Sequence, residues 1–178
     1  MGERVTKLNL GCGKDIRKGF VNVDEREFAG VDVVHDLNTY PYPFEADSFE
    51  AILARDILEH LDDPTRAIGE IWRIGKPGAE VTVRVPHYCS RYVWADLTHR
   101  RGFSLSSFDH FDIAKKKTTS LIDETDVKFE VRFEPLMFAA WRALGIKWIA
   151  SRFPIIYESF LCHFFQCGGI LFRLRIVK

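Results

Sequence analysis

Residues 8–24, LNLGCGKDIRKGFVNVD, decide the fold: two short apolar segments flank a turn that contains two glycines. The first segment ends at Gly11 and Gly13, and the second ends at Asp24. Glycine lets the backbone turn sharply and approach a ligand closely. A carboxylate at the end of the second strand can accept hydrogen bonds from both hydroxyls of a ribose. The stretch therefore predicts a strand, a glycine turn and a second strand around a nucleoside.

Further apolar segments bounded by turn residues recur along the chain, and together with the first two they predict seven strands: 7–10, 20–23, 31–35, 50–54, 80–85, 127–133 and 170–177. The middle segments are runs of Val, Ile and Leu, typical of parallel strands covered on both faces. The last two alternate apolar and charged residues, which favours antiparallel strands. The predicted fold class is α/β: a Rossmann-like open sheet, mostly parallel with an antiparallel last strand, with helices on both faces.

The clearest predicted helix lies between the fourth and fifth strands, in LDDPTRAIGEIWRIGKPG. Asp62 or Asp63 can cap its first turn, and Pro64 suits the first helical position. Apolar residues recur at helical spacing, and Gly75 marks the end. A strand, a helix and a strand of this length indicate a right-handed crossover between parallel strands.

Bulk composition limits the domain organisation and the partners. The 178 residues are the size of one domain, and 25 basic against 25 acidic residues give no reason to expect nucleic acid as a partner. Residues 1–90 carry a net charge of −5 and residues 91–178 a net charge of +5, which indicates different tasks for the two halves. The four cysteines show no CxxC spacing and the first residues lack a signal-peptide pattern, so we expect a cytoplasmic location.

The least charged segment is 153–172, FPIIYESFLCHFFQCGGILF. It is long enough to consider for a membrane span, yet it contains Glu158, His163, Gln166 and a pair of glycines. We expect no transmembrane span here but a buried helix that leads into a strand, with peripheral membrane contact as the alternative.

Polar residues follow four of the predicted strands. They are Gly11 to Gly13, Asp24, Asp36 with Leu37, and Arg55 with Asp56. Because ligands of open parallel sheets bind beyond the carboxyl ends of the strands, we expect these residues to share one crevice. The dinucleotide fingerprint needs a third glycine, where this chain has Ile16, and a longer interval before the acidic residue. A nucleotide-dependent oxidoreductase therefore remains only an alternative.

Several motifs in order resemble the class I S-adenosylmethionine-dependent methyltransferases. They are LNLGCG, GFVNVD, VVHDLN, the segment PYPFEADSFEAILARDILEHLDDP and the ending KPGAEVTVRVP. The resemblance is strong over residues 7–86 and continues in ADLTHRRGFSLSSFDHF. It departs from the family pattern at Asn9, where many relatives carry an acid, at Leu97, where a proline is usual, and in a first helix reduced to one turn.

The resemblance implies S-adenosylmethionine as the cofactor and a single domain with a cofactor-binding half, 1–86, and an acceptor-side half, 87–178. It places the ribose at Asp24, the adenine near Asp36 and Leu37, and the methionine amino group beside Ala54 and Arg55. The full set of implied cofactor-binding residues is Leu10, Gly11, Cys12, Gly13, Asp24, Asp36, Leu37, Ala54 and Arg55.

Candidate catalytic groups lie in HYCSRYVWADLTHRRGF, after the fifth strand. We predict His99, Asp96 and His87 as the catalytic residues, since a base is needed where the acceptor must lose a proton. Glu59 and His60 are expected to be structural. We expect no metal, because the loop histidines lack ligand spacing and methyl transfer of this kind needs none.

The acceptor pocket is expected to form from residues 87–117 and a helical segment, 136–166. Its basic residues could hold an anionic acceptor or form an ordinary solvated surface: Arg91, Arg100, Arg101 and lysines 115–117. Aromatic residues are dense between 133 and 165, and most are expected in the core or in packing between helices, with some forming a lid over the acceptor or a surface for self-association. The predicted function is methyl transfer to an unidentified, small-molecule acceptor. A non-catalytic cofactor-binding module of the same fold remains an alternative, and the oligomeric state stays open.

Overall fold

A computed structural model describes residues 5–115 and 126–178. Seven strands form one sheet in the order β3-β2-β1-β4-β5-β7-β6. Their bounds are β1 Lys7–Leu10, β2 Val21–Asp24, β3 Val33–Val34, β4 Phe49–Arg55, β5 Gly75–Val85, β6 Lys128–Met137 and β7 Cys167–Val177. The pairs from β3 to β5 are parallel, whereas β7 runs antiparallel to both of its neighbours. The predicted fold class and the antiparallel last strand are confirmed.

The predicted crossover helix is α1, Pro64–Ile74. Asp63 caps it by accepting a hydrogen bond from the backbone N–H of Arg66, and Gly75 follows its last turn. Ala67, Ile68, Ile71 and Ile74 are its buried residues, which contribute to the core beside the sheet. The apolar spacing in the sequence therefore predicted both the helix and its inward face.

The connection from β1 to β2 has no helix and is held by two buried amides instead. The Asn9 side chain donates to the carbonyl of Asp15 at 2.8 Å and to Asn22 Oδ1 at 3.1 Å. Asn22 Oδ1 also accepts from the backbone N–H of Arg17 at 2.9 Å. These bonds satisfy the backbone of a turn that would otherwise need a helix, and they bring β2 close behind the glycine turn.

The second half supplies short helices. These are α2 Arg91–Ala95, a 3₁₀ turn Asp109–Phe111, α3 Ala139–Ala143, α4 Ile146–Arg152 and α5 Pro154–Ile156, which continues as a π-helical turn Tyr157–Leu161. The last three helices and this turn form the helical segment between β6 and β7. Within the described ranges, no helix has the length and apolar character needed to cross a bilayer.

The expectation that 153–172 begins with a buried helix is wrong for its first part. Tyr157 is fully buried, but Ile155 and Phe160 are 75% and 69% exposed. Five of the nine aromatic residues of 133–165 are exposed: Phe138, Trp148, Phe153, Phe160 and Phe164. Trp148 and Phe153 nevertheless pack against each other, with ring centroids 5.9 Å apart, so the expected packing between helices is partly present. The helical segment is short and contains few polar residues. It packs one side against the rest of the protein and leaves apolar side chains exposed on the other side.

Candidate active site

The first cavity opens at the carboxyl ends of β1 and β2 and has a volume of about 590 Å³. We call it the cofactor-side cavity. Its walls come from the glycine turn and from the loops after β2, β3 and β4, as expected for an open parallel sheet. It is lined by Gly11, Asp24, Glu25, Arg26, His35, Asp36, Leu37, Asn38, Ile57, His60, Leu61, Leu97, Thr98 and Arg100.

The glycine turn requires glycine for two reasons. Gly11 and Gly13 have positive φ angles of 60° and 48°, which residues with a side chain rarely adopt. A Cβ on Gly11 would also lie 2.5 Å from Cγ1 of Ile57, so the close approach of the β4 loop depends on its absence. Gly13 donates its backbone N–H to Asp24 Oδ2 at 2.8 Å, which aims the carboxylate at the turn.

The hydrogen-bond acceptors and the apolar wall of this cavity fit a nucleoside. Asp24 is half-buried, and among the described residues its Oδ1 accepts only from the exposed backbone N–H of Arg26 at 3.1 Å, so lone pairs remain on both carboxylate oxygens. Leu37 forms a buried apolar wall, and its carbonyl is held by the Tyr42 hydroxyl at 3.2 Å. Asp36 Oδ1 accepts from the backbone N–H of Asn38 at 2.8 Å, which fixes that carboxylate at the rim.

Four of the nine predicted cofactor residues line the cavity: Gly11, Asp24, Asp36 and Leu37. Leu10, Cys12 and Ala54 are buried below it at the ends of the central strands. Arg55 turns toward Asp15, with 3.4 Å between its guanidinium and that carboxylate. Burial and then the charge of Asp24 raise the pKa of the Cys12 thiol, so Cys12 acts as a small apolar residue.

A second cavity of about 540 Å³, which we call the acceptor-side cavity, opens beside the first. Its apolar part comes from Val85, Pro86 and Leu136, and its charged part from Arg84, which pairs with Asp56. The complete lining is Asp56, Glu59, Arg84, Val85, Pro86, Tyr92, Ala95, Asp96, His99, Leu136, Gly168 and Gly169. It therefore combines the ends of β4 and β5 with α2 and the first residues of β7.

The two cavities meet at His60 and His99. His60 lines the cofactor-side cavity and His99 the acceptor-side cavity, with ring centroids 4.7 Å apart. Thr98 donates its hydroxyl to Asp96 Oδ1 at 2.7 Å and lies 3.0 Å from His60 Nδ1. His99 Nε2 lies 3.9 Å from Asp96 Oδ2. We call this group the junction.

Glu59 also belongs to the junction, because one of its carboxylate oxygens lies within 4.8 Å of a ring nitrogen of His60 and of His99. It is 1% exposed and lines the acceptor-side cavity, and its Oε2 has no hydrogen-bond partner among the described residues. Burial, and then the charge of Asp96, raise its pKa to about 7. Glu59 and His60 were expected to be structural, although both belong to the LEHL motif, which was the available signal.

The predicted catalytic residues are placed unequally. Asp96 and His99 line the acceptor-side cavity, but His87 is fully buried and lines neither of the two cavities. The backbone N–H of Cys89 donates to His87 Nδ1 at 3.2 Å, so Nε2 carries the hydrogen and donates to Glu158 Oε1 at 3.1 Å. Both ring nitrogens are therefore occupied in holding the loop after β5.

Glu158 connects several segments of the acceptor-side half through hydrogen bonds. Its carboxylate also accepts from the Ser104 hydroxyl at 2.9 Å and from the backbone N–H of Leu105 at 2.7 Å. Burial opposes ionisation, but the bonds from His87, Leu105 and Ser104 outweigh it and hold the pKa of Glu158 below its usual range. This carboxylate links the π-helical turn to two loops that are distant in sequence.

The basic residues suggested for acceptor binding are mostly engaged elsewhere. Arg100 pairs with Asp62 at 2.5 Å, and Arg101 donates to the carbonyls of Leu61 and Asp62 at 3.0 Å. Lys115 pairs with Asp109 at 3.3 Å. Lysines 116 and 117 lie outside the described residues. Arg84, which was not singled out in the sequence, is the basic residue that lines the acceptor-side cavity.

Comparison with known proteins agrees with this geometry. A family model described as Methyltransferase domain matches residues 8–83. A demethylmenaquinone methyltransferase of Clavibacter sepedonicus is 28% identical over 100 residues, which are 46% of this chain and 40% of that protein. The chain thus matches less than half the length of this curated relative.

Solved structures share the fold over nearly the whole chain. An S-adenosylmethionine-dependent methyltransferase of Archaeoglobus fulgidus superposes with a TM-score of 0.63 at 15% identity, over 95% of this chain and 85% of that one. One of Mesorhizobium loti gives 0.60 at 15%, over 97% and 92%. A complex of a Haloferax volcanii methyltransferase with its Trm112 activator gives 0.59 at 18%, over 99% and 84%. At these identities the likeness shows the fold alone.

Proposed function

We propose that this chain is a class I S-adenosylmethionine-dependent methyltransferase that transfers a methyl group from that cofactor to a small-molecule acceptor in the acceptor-side cavity. One observation carries the proposal: a cavity suited to a nucleoside and a second, partly apolar cavity meet at one group of side chains, His60 and His99. Transfer between two bound molecules needs such a shared wall, because positioning of the reactants provides most of the acceleration.

The cofactor-side cavity would hold the adenosine part. Asp24 accepts hydrogen bonds from the ribose hydroxyls, Leu37 packs on the adenine, and Asp36 lies at its polar edge. Gly11 leaves room for the chain to pass beneath the ligand. When bound, S-adenosylmethionine supplies a methyl group activated by a positively charged sulfur.

At the junction, His99 and Asp96 are proposed to contact the acceptor. His99 Nδ1 lies 3.1 Å from the carbonyl of Val93, so Nδ1 carries the hydrogen and Nε2 keeps a lone pair. That lone pair can accept a hydrogen bond from the acceptor and orient it. His87 is assigned a structural role, since both of its ring nitrogens are occupied.

Calorimetric titration with S-adenosylmethionine, S-adenosylhomocysteine and NAD tests the cofactor. We expect micromolar binding of the two sulfur compounds and none of NAD. Preference for NAD would favour the oxidoreductase alternative. Incubation with acceptors, beginning with the demethylmenaquinone named for the curated relative, then tests transfer: tight cofactor binding without S-adenosylhomocysteine formation on any acceptor would favour the non-catalytic module.

The helical segment supports a further part of the proposal, peripheral contact with an anionic membrane surface. Its exposed apolar residues, which we call the apolar surface, are Leu144, Trp148, Ile155, Ile156, Phe160 and Phe164. Residues 138–166 carry three basic residues and a single acid, Glu158, which is turned inward. Aromatic residues with flanking cations match the interface of a bilayer with anionic headgroups. Phe138 connects this segment to Tyr92 at the acceptor-side cavity, with ring centroids 6.3 Å apart.

Vesicle co-sedimentation tests this contact. We expect the protein to bind vesicles containing phosphatidylserine more strongly than pure phosphatidylcholine, and Trp148→Ser with Phe160→Ser to weaken binding at least tenfold. Ile113→Ser, which alters an exposed apolar residue elsewhere, is the matched control. Absence of vesicle binding would contradict the proposed contact with a membrane. A dimer that the double variant converts to monomer would show instead that the apolar surface binds a second copy of the chain.

A further inference from the structure

We propose that Glu59, His60 and His99 form a binding site for one divalent cation at the junction between the two cavities. One carboxylate oxygen of Glu59 and one ring nitrogen of each histidine lie within 4.8 Å of one another. Metal–ligand distances are about 2.0–2.2 Å, so two ligands of one ion lie at most about 4.4 Å apart. A small rotation of the side chains therefore brings all three onto a common ion.

Hydrogen bonds already orient both histidines. Because Thr98 gives its hydroxyl hydrogen to Asp96, its oxygen accepts from His60 Nδ1 at 3.0 Å. His99 Nδ1 donates to the carbonyl of Val93. Each imidazole is thus held through one nitrogen and keeps a lone pair on the other. Metal-binding histidines are commonly held in this way by a carbonyl or by a carboxylate acting through a hydroxyl.

The burial of the Glu59 carboxylate supports the cation site independently of the ligand spacing. Glu59 is 1% exposed, and its Oε2 is buried without a hydrogen-bond partner in the part of the chain that the structure describes. An unpaired buried polar atom is costly, and native proteins rarely leave one without a reason. A cation at the junction would compensate this oxygen, whereas a purely structural role leaves it unexplained.

The ligand set indicates the class of ion. Two imidazoles and one carboxylate on one side of an ion suit first-row divalent cations such as Mn²⁺, Fe²⁺, Co²⁺ or Zn²⁺, and they leave positions open. Those positions face the acceptor-side cavity, which Glu59 and His99 line. The site would therefore hold an acceptor that carries an oxygen ligand, such as a phenol or a carboxylate. This role rests on the proposed function, but binding of the cation does not.

The inference departs from the expectation that the chain binds no metal. That expectation considered histidines 87, 99 and 110, whose spacing does not suit a common ion. The ligands instead come from the start of the loop after β4 and from the loop after α2, which only the folded chain brings together.

Mn²⁺ alone is the probe, followed by electron paramagnetic resonance of the free ion and by calorimetry. We expect one Mn²⁺ per chain, with binding weakened at least tenfold in Glu59→Gln, His60→Ala and His99→Ala. His35→Ala is the matched control, because His35 lines the cofactor-side cavity outside the cluster. Cys89→Ser is the second control, since Cys89, Cys162 and His163 form another group with ligand spacing.

Thermal unfolding of each variant checks its fold, because His35 and His60 line the cofactor-side cavity. Binding of S-adenosylhomocysteine by the unaltered protein separates this proposal from the proposed function. Absence of Mn²⁺ binding by a protein that binds S-adenosylhomocysteine would overturn the cation site alone. Mn²⁺ binding that persists in the three cluster variants, or that only Cys89→Ser removes, would overturn it as well. Mn²⁺ binding lost in the cluster variants, without any binding of S-adenosylhomocysteine, would support the site and contradict the cofactor.

Discussion

The cofactor-side and acceptor-side cavities have similar volumes but are built differently. Most of the first is lined by residues 11–61, each a few positions beyond the end of a parallel strand. The second joins residues 56–99 to Leu136 and the Gly168–Gly169 pair, and the buried Glu158 network supports it. The first cavity therefore depends on local turns, whereas the second depends on contacts between distant segments. Substitutions in the two regions should therefore have separable effects.

Asp24→Ala should have the largest effect, which we expect on cofactor binding. Hydrogen bonds to a charged group contribute about 1.5–3 kcal/mol each, so losing two from the ribose should weaken S-adenosylhomocysteine binding by about 100-fold to 10,000-fold. Calorimetry measures the affinity. Glu27→Ala, an exposed acid outside the cavity, is the control and should bind normally. Equal affinities of the two variants would contradict the role of Asp24.

Glu158→Ala should show the opposite behaviour, a loss of stability without a direct effect on the cofactor-side cavity. It leaves His87 Nε2 and the backbone N–H of Leu105 without their acceptor, and unsatisfied buried donors cost about 1–3 kcal/mol each. We expect the free energy of unfolding to fall by about 3 kcal/mol in urea titrations. Unchanged stability would show that the acceptor-side half is held by other contacts.

Gly169→Ala should destabilise the boundary between β5 and β7. A Cβ on Gly169 would lie 2.9 Å from the carbonyl oxygen of Val85, which is backbone and cannot turn away. Crowding of this kind costs about 1–3 kcal/mol. Gly168→Ala is the matched control, since its nearest contact would be an ordinary 3.4 Å. Thermal unfolding measures both, and equal midpoints would contradict the close approach.

The smallest expected effect is a pH dependence of stability from Glu158. Its pKa is lower in the folded protein than the value of about 4.3 in an unfolded chain. Its ionised form thus contributes stability that is fully present above that value and is lost as the pH falls toward the folded pKa. The difference in unfolding free energy between wild type and Glu158→Gln should shrink between about pH 5 and pH 3. A constant difference would mean that the carboxylate charge contributes nothing.

Sequence reasoning succeeded where structure follows from neighbouring residues. The seven strands, the α1 helix with a cap at Asp62 or Asp63 and the placement of Gly11, Asp24, Asp36 and Leu37 around one cavity were predicted correctly. Arg55 and Asp56, which were expected in the same crevice, do not line that cavity. Strand periodicity, capping and turn formation act over a few residues, so the pattern is readable in the chain.

The burial of side chains that depends on residues distant in the sequence was harder to predict. His87 and His99 are similar loop histidines in the sequence, yet one is fully buried against Glu158 and the other lines a cavity. The exposure of Trp148 and Phe160 was missed for the same reason: an apolar composition does not say which side of a helix the rest of the molecule covers.

The open parallel sheet and the nucleoside-type turn could be predicted from the chain, because both arise from local backbone preferences and from the shared direction of the strand ends. Three features became visible in the folded protein alone: Glu59, His60 and His99 meet between two cavities, Glu158 links distant loops, and the helical segment keeps an apolar side exposed. Those features depend on which distant residues become neighbours, and that follows from the packing of the whole chain.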